Sequence, residues 1–273
     1  MHAWRKHRGN PEAVYEEIPV PSTPPHGFLL KVLAAGLCHS DVSVVAYDNT
    51  APHYQEKFVI GHEGCGEILE IGGDVKGDQW RVGMRVAINP VPGCGKNDCD
   101  ECSNDLMQLC EKGPRLGLGH DGSFAEYIAV SERCCIPVPD EVKDAEAAVA
   151  TDAIMTTHHA ITQRAQITKQ DTVFLFGLGG LGFNALQILL HIGCRVLVSE
   201  TRQEPLDEAV KIGLPKSDIV PVGTKVMEWV AHNGLENKID VVVDIVGVNQ
   251  TFDDAQMIGK LLEQNDGVSA DKN

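Results

Sequence analysis

Short apolar runs separated by glycine and proline dominate the first half of the chain. Strand-like runs begin at Phe28, Glu67, Arg85 and Ala125. Strands bounded by turn residues at such short intervals are typical of antiparallel β structure. The pattern therefore predicts a compact, mostly β domain over residues 1–150.

Near residue 140 the pattern changes, and from Asp171 onward strand-like and helix-like runs alternate. Buried strands are predicted around Val173, Val196, Ile219 and Val241, and helices over residues 183–192, 205–212 and 225–232. Strands that alternate with helices form βαβ units on a parallel sheet. A second domain, of the α/β class, is therefore predicted over residues 151–273.

The charge and hydropathy of the chain exclude several classes of partner. Its 273 residues include 39 acidic and 23 basic side chains, which give a formal net charge of −16. Nucleic acids are bound through Lys and Arg, and anionic membrane surfaces attract basic segments, so neither is an expected partner. The sequence shows neither an apolar run of transmembrane length nor a secretory signal pattern. A cytoplasmic protein is the resulting expectation.

A glycine motif stands between the first predicted strand and the first predicted helix of the second domain. Gly177, Gly179 and Gly182 follow the spacing G-x-G-x-x-G. The first glycine allows a tight turn, the second lets the backbone approach a pyrophosphate, and the third allows the helix to pack closely on the strand. Glycine-rich turns are common by themselves, but here the strand, the helix and the next strand are all present. A dinucleotide site of the Rossmann type is therefore predicted.

The second predicted strand of this domain ends at Ser199 and Glu200. An acidic residue at this position binds the ribose 2′-hydroxyl of NAD and repels the 2′-phosphate of NADP. Arg202, two residues further on, could host that phosphate instead, and Glu200 could simply be a solvated acid at a strand end. The sequence favours NAD, with NADP as the less favoured cofactor.

Four of the nine cysteines lie in one short segment: Cys94, Cys99, Cys102 and Cys110. In a reducing compartment, clustered cysteines are metal ligands rather than disulfide partners. Four thiolates at short spacing form a closed tetrahedral zinc site that leaves no position for water or substrate. We predict a structural zinc lobe over about residues 93–111; four unrelated loop cysteines are the alternative.

Two further motifs each place a metal-binding side chain near a carboxylate. Cys38 precedes Asp41 by three residues, and His62 is followed directly by Glu63. A thiolate and an imidazole suit zinc, and neighbouring carboxylates orient such ligands. Taken singly, a cysteine in a glycine-flanked turn is more often a small buried residue. The prediction of a second metal site depends on the two motifs occurring together.

Taken in order, these motifs resemble the zinc-dependent alcohol dehydrogenases of the medium-chain dehydrogenase/reductase superfamily, in a form similar to fungal members. The resemblance runs from the start of the chain to about Ile258 and includes Gly61 to Gly64, the cysteine lobe, residues 121–127 and Thr151 to Ala153. It implies a GroES-like catalytic domain followed by a Rossmann domain with a doubly wound parallel sheet. The implied reaction is hydride transfer between a primary or secondary alcohol and NAD, giving an aldehyde or ketone, or the reverse reduction.

The resemblance also implies roles for individual residues in catalysis and metal binding. Cys38, His62 and Asp152 match the ligands of a catalytic zinc, the first of two zinc ions per chain. Ser40 matches the hydroxyl that takes the alcohol proton, and Asp41 matches the acid that orients His62. Glu63 matches a carboxylate that can approach the metal when water or substrate exchanges.

A second set of residues is implied to contact the cofactor. His39 matches a basic position near the pyrophosphate, and Thr156 and Leu181 match residues beside the nicotinamide. The glycine turn and the acid after the second strand complete the set: Gly177, Gly179, Gly180, Leu181, Gly182 and Glu200.

The chain departs from the family pattern at three places. Ser43 stands where many relatives have the outer histidine of a proton relay, and the gap between Cys94 and Cys99 is two residues longer than usual. The third departure is the C-terminus, because only four of the six strands of such a domain can be counted. Gly259 to Leu262 could begin a fifth, and the polar run from Glu263 to Asn273 predicts a disordered tail.

The expectation from this third departure is a C-terminally truncated chain. Its sheet would have an exposed edge, and its cofactor binding and turnover would be weak. The full-length relatives form homo-oligomers, an assembly that the shorter chain puts in doubt.

Two alternatives to an alcohol dehydrogenase remain open. A zinc-free reductase of the same superfamily would have the nucleotide-binding fold without needing Cys38, His62 and Asp152 together. A catalytically weak or inactive zinc-binding interaction protein is the second alternative. The substrate partner expected for the enzyme is a small alcohol or its aldehyde.

Overall fold

The computed structural model of this chain describes residues 1–46 and 54–259. The chain divides into two compact units, residues 1–153 and residues 154–273. The predicted tail from Glu263 onward, and most of the fifth strand predicted from Gly259, lie outside the described residues.

The first unit is built on two antiparallel sheets. Its strands are β1 (His2–His7), β2 (Ala13–Glu17), β3 (Gly27–Gly36), β4 (Lys57–Val59), β5 (Glu63–Ile71), β6 (Arg85–Ile88), β7 (Tyr127–Ser131) and β8 (Cys135–Pro137). One sheet has the order β2-β1-β4 and the other the order β7-β3-β5-β6-β8. This antiparallel architecture agrees with the short apolar runs of the sequence.

Helical segments of the first unit are short. They are α1 (His39–Ala46), α2 (Asp100–Ser103) and α3 (Asp144–Val149), with 3₁₀ turns at Met107–Leu109 and Glu132–Cys134. A π-helical turn, Ala150–Ile154, follows α3 directly. The antiparallel pairing of β3 with β5 places Gly36 opposite Glu63. The segment after Gly36, which contains Cys38, and the segment before Glu63, which contains His62, therefore lie at the same end of the two strands. That register positions the candidate metal site.

The core of the larger sheet is made of the apolar side chains that face away from solvent. It includes Phe28, Leu30, Ile68, Val86 and Ile128, each at most 2% exposed. Alternate residues of a strand point to opposite faces, so the inward residues of β3 come from every second position. The strand runs noted in the sequence supply this core.

The second unit is an α/β layer on a parallel sheet. Its strands are β9 (Thr172–Phe176), β10 (Arg195–Ser199) and β11 (Val241–Asp244), and its helices are α4 (Met155–His158), α5 (Gly180–Ile192), α6 (Gln203–Lys211), α7 (Val226–His232) and α8 (Asn249–Ile258). A second π-helical turn covers His159–Arg164. The strand order is β10-β9-β11, and both pairings are parallel. The predicted Rossmann-type sheet is therefore present.

The strand predicted around Ile219 is wrong as a full strand. Residues 216–218 form a 3₁₀ turn, and Ile219 makes only an isolated parallel bridge to Val198. The N–H of Val220 donates to the carbonyl oxygen of Val198 at 2.9 Å, and the chain then turns, with the N–H of Thr224 donating to the carbonyl oxygen of Pro221 at 3.0 Å, so the ladder ends after one bridge. The bridge lies on the β10 side of the sheet, so the spatial order is Ile219 bridge, β10, β9, β11. If the strands of this unit are numbered along the chain, this is the order 3-2-1-4 of a doubly wound sheet.

Within residues 1–46 and 54–259, no helix has both the length and the apolar character needed to cross a membrane.

Candidate metal centres and cofactor site

Three potential metal ligands of the first unit lie together. The Sγ atom of Cys38, an imidazole nitrogen of His62 and a carboxylate oxygen of Asp152 all lie within 4.8 Å of one another. Oδ2 of Asp152 is 3.5 Å from Sγ of Cys38 and 3.1 Å from Nε2 of His62. These three residues come from separate stretches of the chain, and the fold brings them to one point.

The buried carboxylate of Asp41 is hydrogen-bonded to two of these three residues. Oδ1 of Asp41 accepts a hydrogen bond from Nδ1 of His62 at 2.9 Å, and its Oδ2 accepts one from the backbone N–H of Cys38 at 2.9 Å. Asp41 is only 2% exposed. When a carboxylate holds the proton on Nδ1, the lone pair of the imidazole lies on Nε2. Asp41 thus aims Nε2 of His62 at the other two ligands and holds Cys38 beside them.

The electrostatics of the cluster favour a cation. Burial by itself lowers the pKa of His62, but hydrogen bonds to Asp152 and Asp41 outweigh that effect and raise the pKa to about 10. A thiol and two carboxylates around a buried imidazole therefore stabilise a positive charge among them. A thiolate, an imidazole nitrogen and a carboxylate are also ligands that Zn²⁺ accepts, and three protein ligands leave a fourth position for a substrate. The donor set fits a catalytic zinc.

Asp152 lies in the π-helical turn of residues 150–154. Such a turn widens the helix locally by one residue, and π-turns of this kind are frequent at functional sites. The buried hydroxyl of the neighbouring Thr151 donates to the carbonyl oxygen of Ala148 at 2.8 Å. Apart from the resemblance at residues 151–153, no sequence pattern indicated this turn.

Glu63 is buried but does not belong to the group of three ligands. Burial, and next the negative charge of Asp152, raise the pKa of its carboxyl group. Gly36 lies directly against it, since a Cβ atom at that position would stand 1.8 Å from Oε2 of Glu63. The absence of a side chain at Gly36 therefore makes the space that the Glu63 carboxylate fills.

The other predicted residues of this region lie at the start of α1. Ser40 is exposed, and its Oγ lies 3.7 Å from Sγ of Cys38. His39 is exposed as well, and its carbonyl oxygen accepts a hydrogen bond from Oγ of Ser43 at 3.3 Å. The roles assigned to Ser40 in proton transfer and to His39 at the pyrophosphate stay predictions.

The four cysteines of the lobe also come together. Their Sγ atoms all lie within 4.8 Å of one another, and they are free thiols: Cys94, Cys99, Cys102 and Cys110. Cys94 and Cys102 have their Sγ atoms 3.8 Å apart, and Cys99 and Cys110 have theirs 3.7 Å apart. A disulfide requires about 2.05 Å between sulfurs. Thiolates about 2.3 Å from a tetrahedral Zn²⁺ are roughly 3.8 Å from each other, so this donor set fits a structural zinc.

The longer gap after Cys94 does not remove that residue from the cluster. Gly93 and Gly95 on either side both have φ +67°, a left-handed conformation that glycine adopts without strain. The chain turns sharply twice and brings the Cys94 thiol to within 3.8 Å of Cys102. The two extra residues between Cys94 and Cys99 therefore do not prevent the Cys94 thiol from joining the other three.

The glycine turn of the second unit has the features that the motif predicts. Gly177 has φ +87°, and a Cβ atom there would stand 2.6 Å from Cγ2 of Val246. A Cβ atom at Gly182 would stand 2.0 Å from the carbonyl oxygen of Gly177. These close approaches explain the need for glycine at both positions, and α5 begins within the turn at Gly180.

A cavity of about 530 Å³ lies against this turn. Its lining includes the predicted residues Gly177, Gly179, Gly180, Leu181 and Glu200, together with Arg202. Two predicted residues, Gly182 and Thr156 on α4, do not line the cavity. An open cavity beside a helix N-terminus and the carboxyl ends of parallel strands is the usual place for a dinucleotide.

One wall of the cavity was not identified from the sequence. It consists of the loop after β11 and the start of α8, including Ile245, Val246, Val248 and Thr251. Asp244 holds this loop, since its Oδ1 accepts from the N–H of Val246 at 2.9 Å and its Oδ2 accepts from the hydroxyl of Thr251 at 2.8 Å. The parallel pairing of β11 with β9 could have indicated this wall, because their carboxyl ends meet at the same edge.

Comparison with known proteins identifies the family and agrees with the fold. Residues 24–140 match the family model described as Alcohol dehydrogenase GroES-like domain. The chain is 26% identical over 254 residues to the L-threonine 3-dehydrogenase of Pseudoalteromonas translucida (strain TAC 125), covering 92% of this chain and 72% of the relative. It is 31% identical over 205 residues to the sorbitol dehydrogenase of Bacillus subtilis (strain 168), covering 74% of this chain and 56% of that protein.

The solved structure of acetophenone reductase from Geotrichum candidum NBRC 4597 in complex with NAD superposes with a TM-score of 0.81. The two chains are 30% identical, and the match covers 95% of this chain and 72% of the reductase. These relatives are oxidoreductases. The chain therefore belongs to the zinc-dependent alcohol dehydrogenases of the medium-chain dehydrogenase/reductase superfamily.

Proposed function

We propose that this protein transfers a hydride between the carbinol carbon of an alcohol and the nicotinamide of NAD. The observation that carries the proposal is the cluster of Cys38, His62 and Asp152 backed by the buried Asp41. A zinc-free reductase would have no use for a thiol, an imidazole and a carboxylate within 4.8 Å of one another. The alcohol is oxidised by two electrons, and NAD⁺ is reduced to NADH.

Cys38, His62 and Asp152 would hold a catalytic Zn²⁺, and Cys94, Cys99, Cys102 and Cys110 would hold a structural one. When bound, the catalytic zinc supplies Lewis-acid polarisation of the substrate oxygen. The structural zinc supplies folding free energy to the lobe, because a closed site of four thiolates has no open position for chemistry.

The remaining chemistry belongs to the side chains of the chain itself. Asp41 keeps the Nδ1 proton of His62 in place and so preserves the Nε2 lone pair for metal binding. Ser40 takes the proton of the substrate hydroxyl and passes it to solvent, to which its side chain is exposed. Since Ser43 replaces the relay histidine of many relatives, water is the next proton acceptor after Ser40.

The cofactor is held by the second unit. The glycine turn admits the pyrophosphate, and the N-terminus of α5 directs its free N–H groups toward it. Glu200, at the end of β10, accepts from the adenosine ribose and disfavours a 2′-phosphate. NAD is therefore the proposed cofactor, the one present in the related acetophenone reductase structure.

Zinc content and NADH formation test this proposal together. The purified chain should contain two zinc ions, and it should form NADH with at least one member of a panel of primary and secondary alcohols. Cys38→Ser should lose one zinc and all turnover. Cys194→Ser is the matched control, because Sγ of Cys194 donates only to the carbonyl oxygen of Leu189, a bond that a serine hydroxyl can replace.

Two results would contradict the proposal. A metal-free protein that reduces activated double bonds would be a zinc-free reductase of the same superfamily. A protein with two zinc ions that binds no dinucleotide would be a zinc-binding interaction protein.

A further inference from the structure

Lys6 is a buried cation that the proposed chemistry does not use. It is only 3% exposed. It lies on β1, the central strand of its sheet, opposite Ala13 of β2 and Phe58 of β4. Lysine is almost never fully buried unless it has a partner, because the ammonium group loses its hydration there. A buried lysine on a central strand therefore needs specific acceptors, and its hydrogen bonds identify them.

The ammonium group joins β1 to the C-terminal end of α1. Nζ of Lys6 donates to the carbonyl oxygen of Val45 at 2.7 Å and also to the carbonyl oxygen of Asn10, three residues after the end of β1. The last carbonyl groups of a helix have no partner within the helix, and a cation there interacts favourably with the helix dipole. The last turn of α1 contains no basic residue of its own. Lys6 therefore supplies, from another element, the cation that this helix end lacks.

The other end of α1 carries residues of the candidate zinc site. The helix begins directly after Cys38, and Asp41 lies in its first turn. Oδ1 of Asp41 accepts from Nδ1 of His62, and Oδ2 accepts from the N–H of Cys38. Val45 follows Asp41 by four residues, so the two lie one turn apart on the same face of the helix. A shift of the helix end at Val45 would therefore displace the carboxylate of Asp41 from His62. The hydrogen bond from Lys6 opposes such a shift.

We infer that Lys6 is a positioning residue for the candidate catalytic zinc site, because it fixes α1 to β1 and so holds the carboxylate of Asp41 against His62. This inference rests on the proposed function, in which that site binds zinc. An apolar side chain of the same length would fill the same space but would leave the carbonyl oxygen of Val45 without this donor. The zinc affinity of the site therefore depends on an ammonium group that acts through the helix and not as a ligand.

Competition with a chelator of known zinc affinity, on the whole chain, tests the inference without requiring turnover. Lys6→Met keeps the length of the side chain and removes the charge and the donors. It should weaken zinc binding at the catalytic site about three- to ten-fold, less than the loss of about 10- to 100-fold that is typical when a group bonded directly to a metal-binding histidine is removed. The lobe zinc should be retained as in the wild type. Lys57→Met is the matched control, because it removes an exposed lysine from β4 of the same sheet, and it should change neither site.

A double-mutant cycle with Asp41→Asn separates positioning from general stabilisation of the fold. If Lys6 acts through Asp41, the double variant should bind the catalytic zinc no more weakly than Asp41→Asn alone. If the two effects multiply, Lys6 acts independently of Asp41 and the inference is wrong.

Ile128→Val provides a reference for stability alone, because it removes one methyl group from the core of the larger sheet. This variant should lower the free energy of unfolding and leave the dissociation constant of the catalytic zinc unchanged. A loss of zinc affinity equal to that of Lys6→Met would attribute the effect to stability and would also refute the inference.

The outcomes separate the inference from the proposed function. If Lys6→Met folds and binds the catalytic zinc as tightly as the wild type, the inference is wrong while the zinc site stands. If Lys6→Met does not fold, Lys6→Gln, which keeps an NH₂ donor without the charge, is measured in the same way. Failure of both variants to fold would show that Lys6 is needed for folding and not for positioning, and would refute the inference. If the wild type itself binds zinc only in the cysteine lobe, the proposed catalytic site is refuted.

Discussion

The hydrogen bonds of Asp41 lead to a quantitative prediction for Asp41→Asn. The carboxylate accepts from Nδ1 of His62 and from the N–H of Cys38, both at 2.9 Å. An asparagine side chain of the same shape has one oxygen and one NH₂ group. One of the two donors must therefore face an NH₂ group, or His62 must adopt the tautomer with its proton on Nε2. That tautomer points a proton, not a lone pair, at the metal position.

The magnitude follows from these contacts. Loss of the partner that orients a metal-bound histidine typically costs 10- to 100-fold in metal affinity, which corresponds to about 1.4–2.8 kcal/mol. A buried donor left without an acceptor costs about 1–3 kcal/mol in folding free energy. Because Asp41 is 2% exposed, water cannot replace the lost acceptor. Asp41→Asn should therefore weaken the catalytic zinc site by one to two orders of magnitude and also lower the free energy of unfolding.

Dialysis against a chelator of graded strength, followed by elemental analysis, measures this effect. The wild type should retain two zinc ions per chain at a chelator concentration at which Asp41→Asn retains one, held in the cysteine lobe. Asp218→Asn is the control, because Asp218 is a buried carboxylate that pairs with Arg195 in the other unit. Equal zinc retention by wild type and Asp41→Asn would refute the argument that Asp41 sets the orientation of His62.

Three further predictions follow from the site geometry. Asp152→Ala should lose the catalytic zinc while Glu63→Ala retains most of it, because Asp152 lies in the three-ligand cluster and Glu63 does not. If elemental analysis shows the reverse order of metal loss, the assignment is wrong. Cys102→Ser should lose the lobe zinc and lower the midpoint of thermal unfolding, since a structural site contributes folding free energy directly; an unchanged zinc count would exclude a four-cysteine site. The pKa of Glu200 is lowered from 4.5 to about 2 by its hydrogen bonds, Arg202 first, so its carboxylate stabilises the fold above pH 4.5 and loses this effect as the pH falls toward 2. Over that range the free energy of unfolding of the wild type should fall by about 2–3 kcal/mol more than that of Glu200→Gln. The lower value is expected because Arg202 is exposed and solvent screens the pair. Parallel pH profiles of the two proteins in denaturant unfolding would contradict this.

The fold class and the types of candidate ligand could be predicted from the sequence alone. The short apolar runs between turn residues indicated the antiparallel sheets, and the alternation of strand-like and helix-like runs after Asp171 indicated the parallel sheet. Both patterns can be read from the sequence because a strand or helix that buries one face has apolar residues at regular intervals. The spacing of the four lobe cysteines and of Gly177, Gly179 and Gly182 is local, so it can be recognised without any knowledge of tertiary contacts. The resemblance to a known family supplied the ligand roles that no local spacing contains.

Which distant residues meet depends on the tertiary structure. His62 and Asp152 are 90 positions apart, and their contact depends on the register that sets Gly36 opposite Glu63 and on a π-helical turn that no sequence pattern revealed. The strand predicted around Ile219 is reduced to a single bridge because a 3₁₀ turn precedes it and a turn closed between Pro221 and Thr224 follows it. The pairing of Arg202 with Glu200 depends on side-chain rotamers over a folded strand end, since residues two apart have no fixed relation in an unfolded chain. Local patterns specify elements and ligand types, whereas long-range packing brings them into a site.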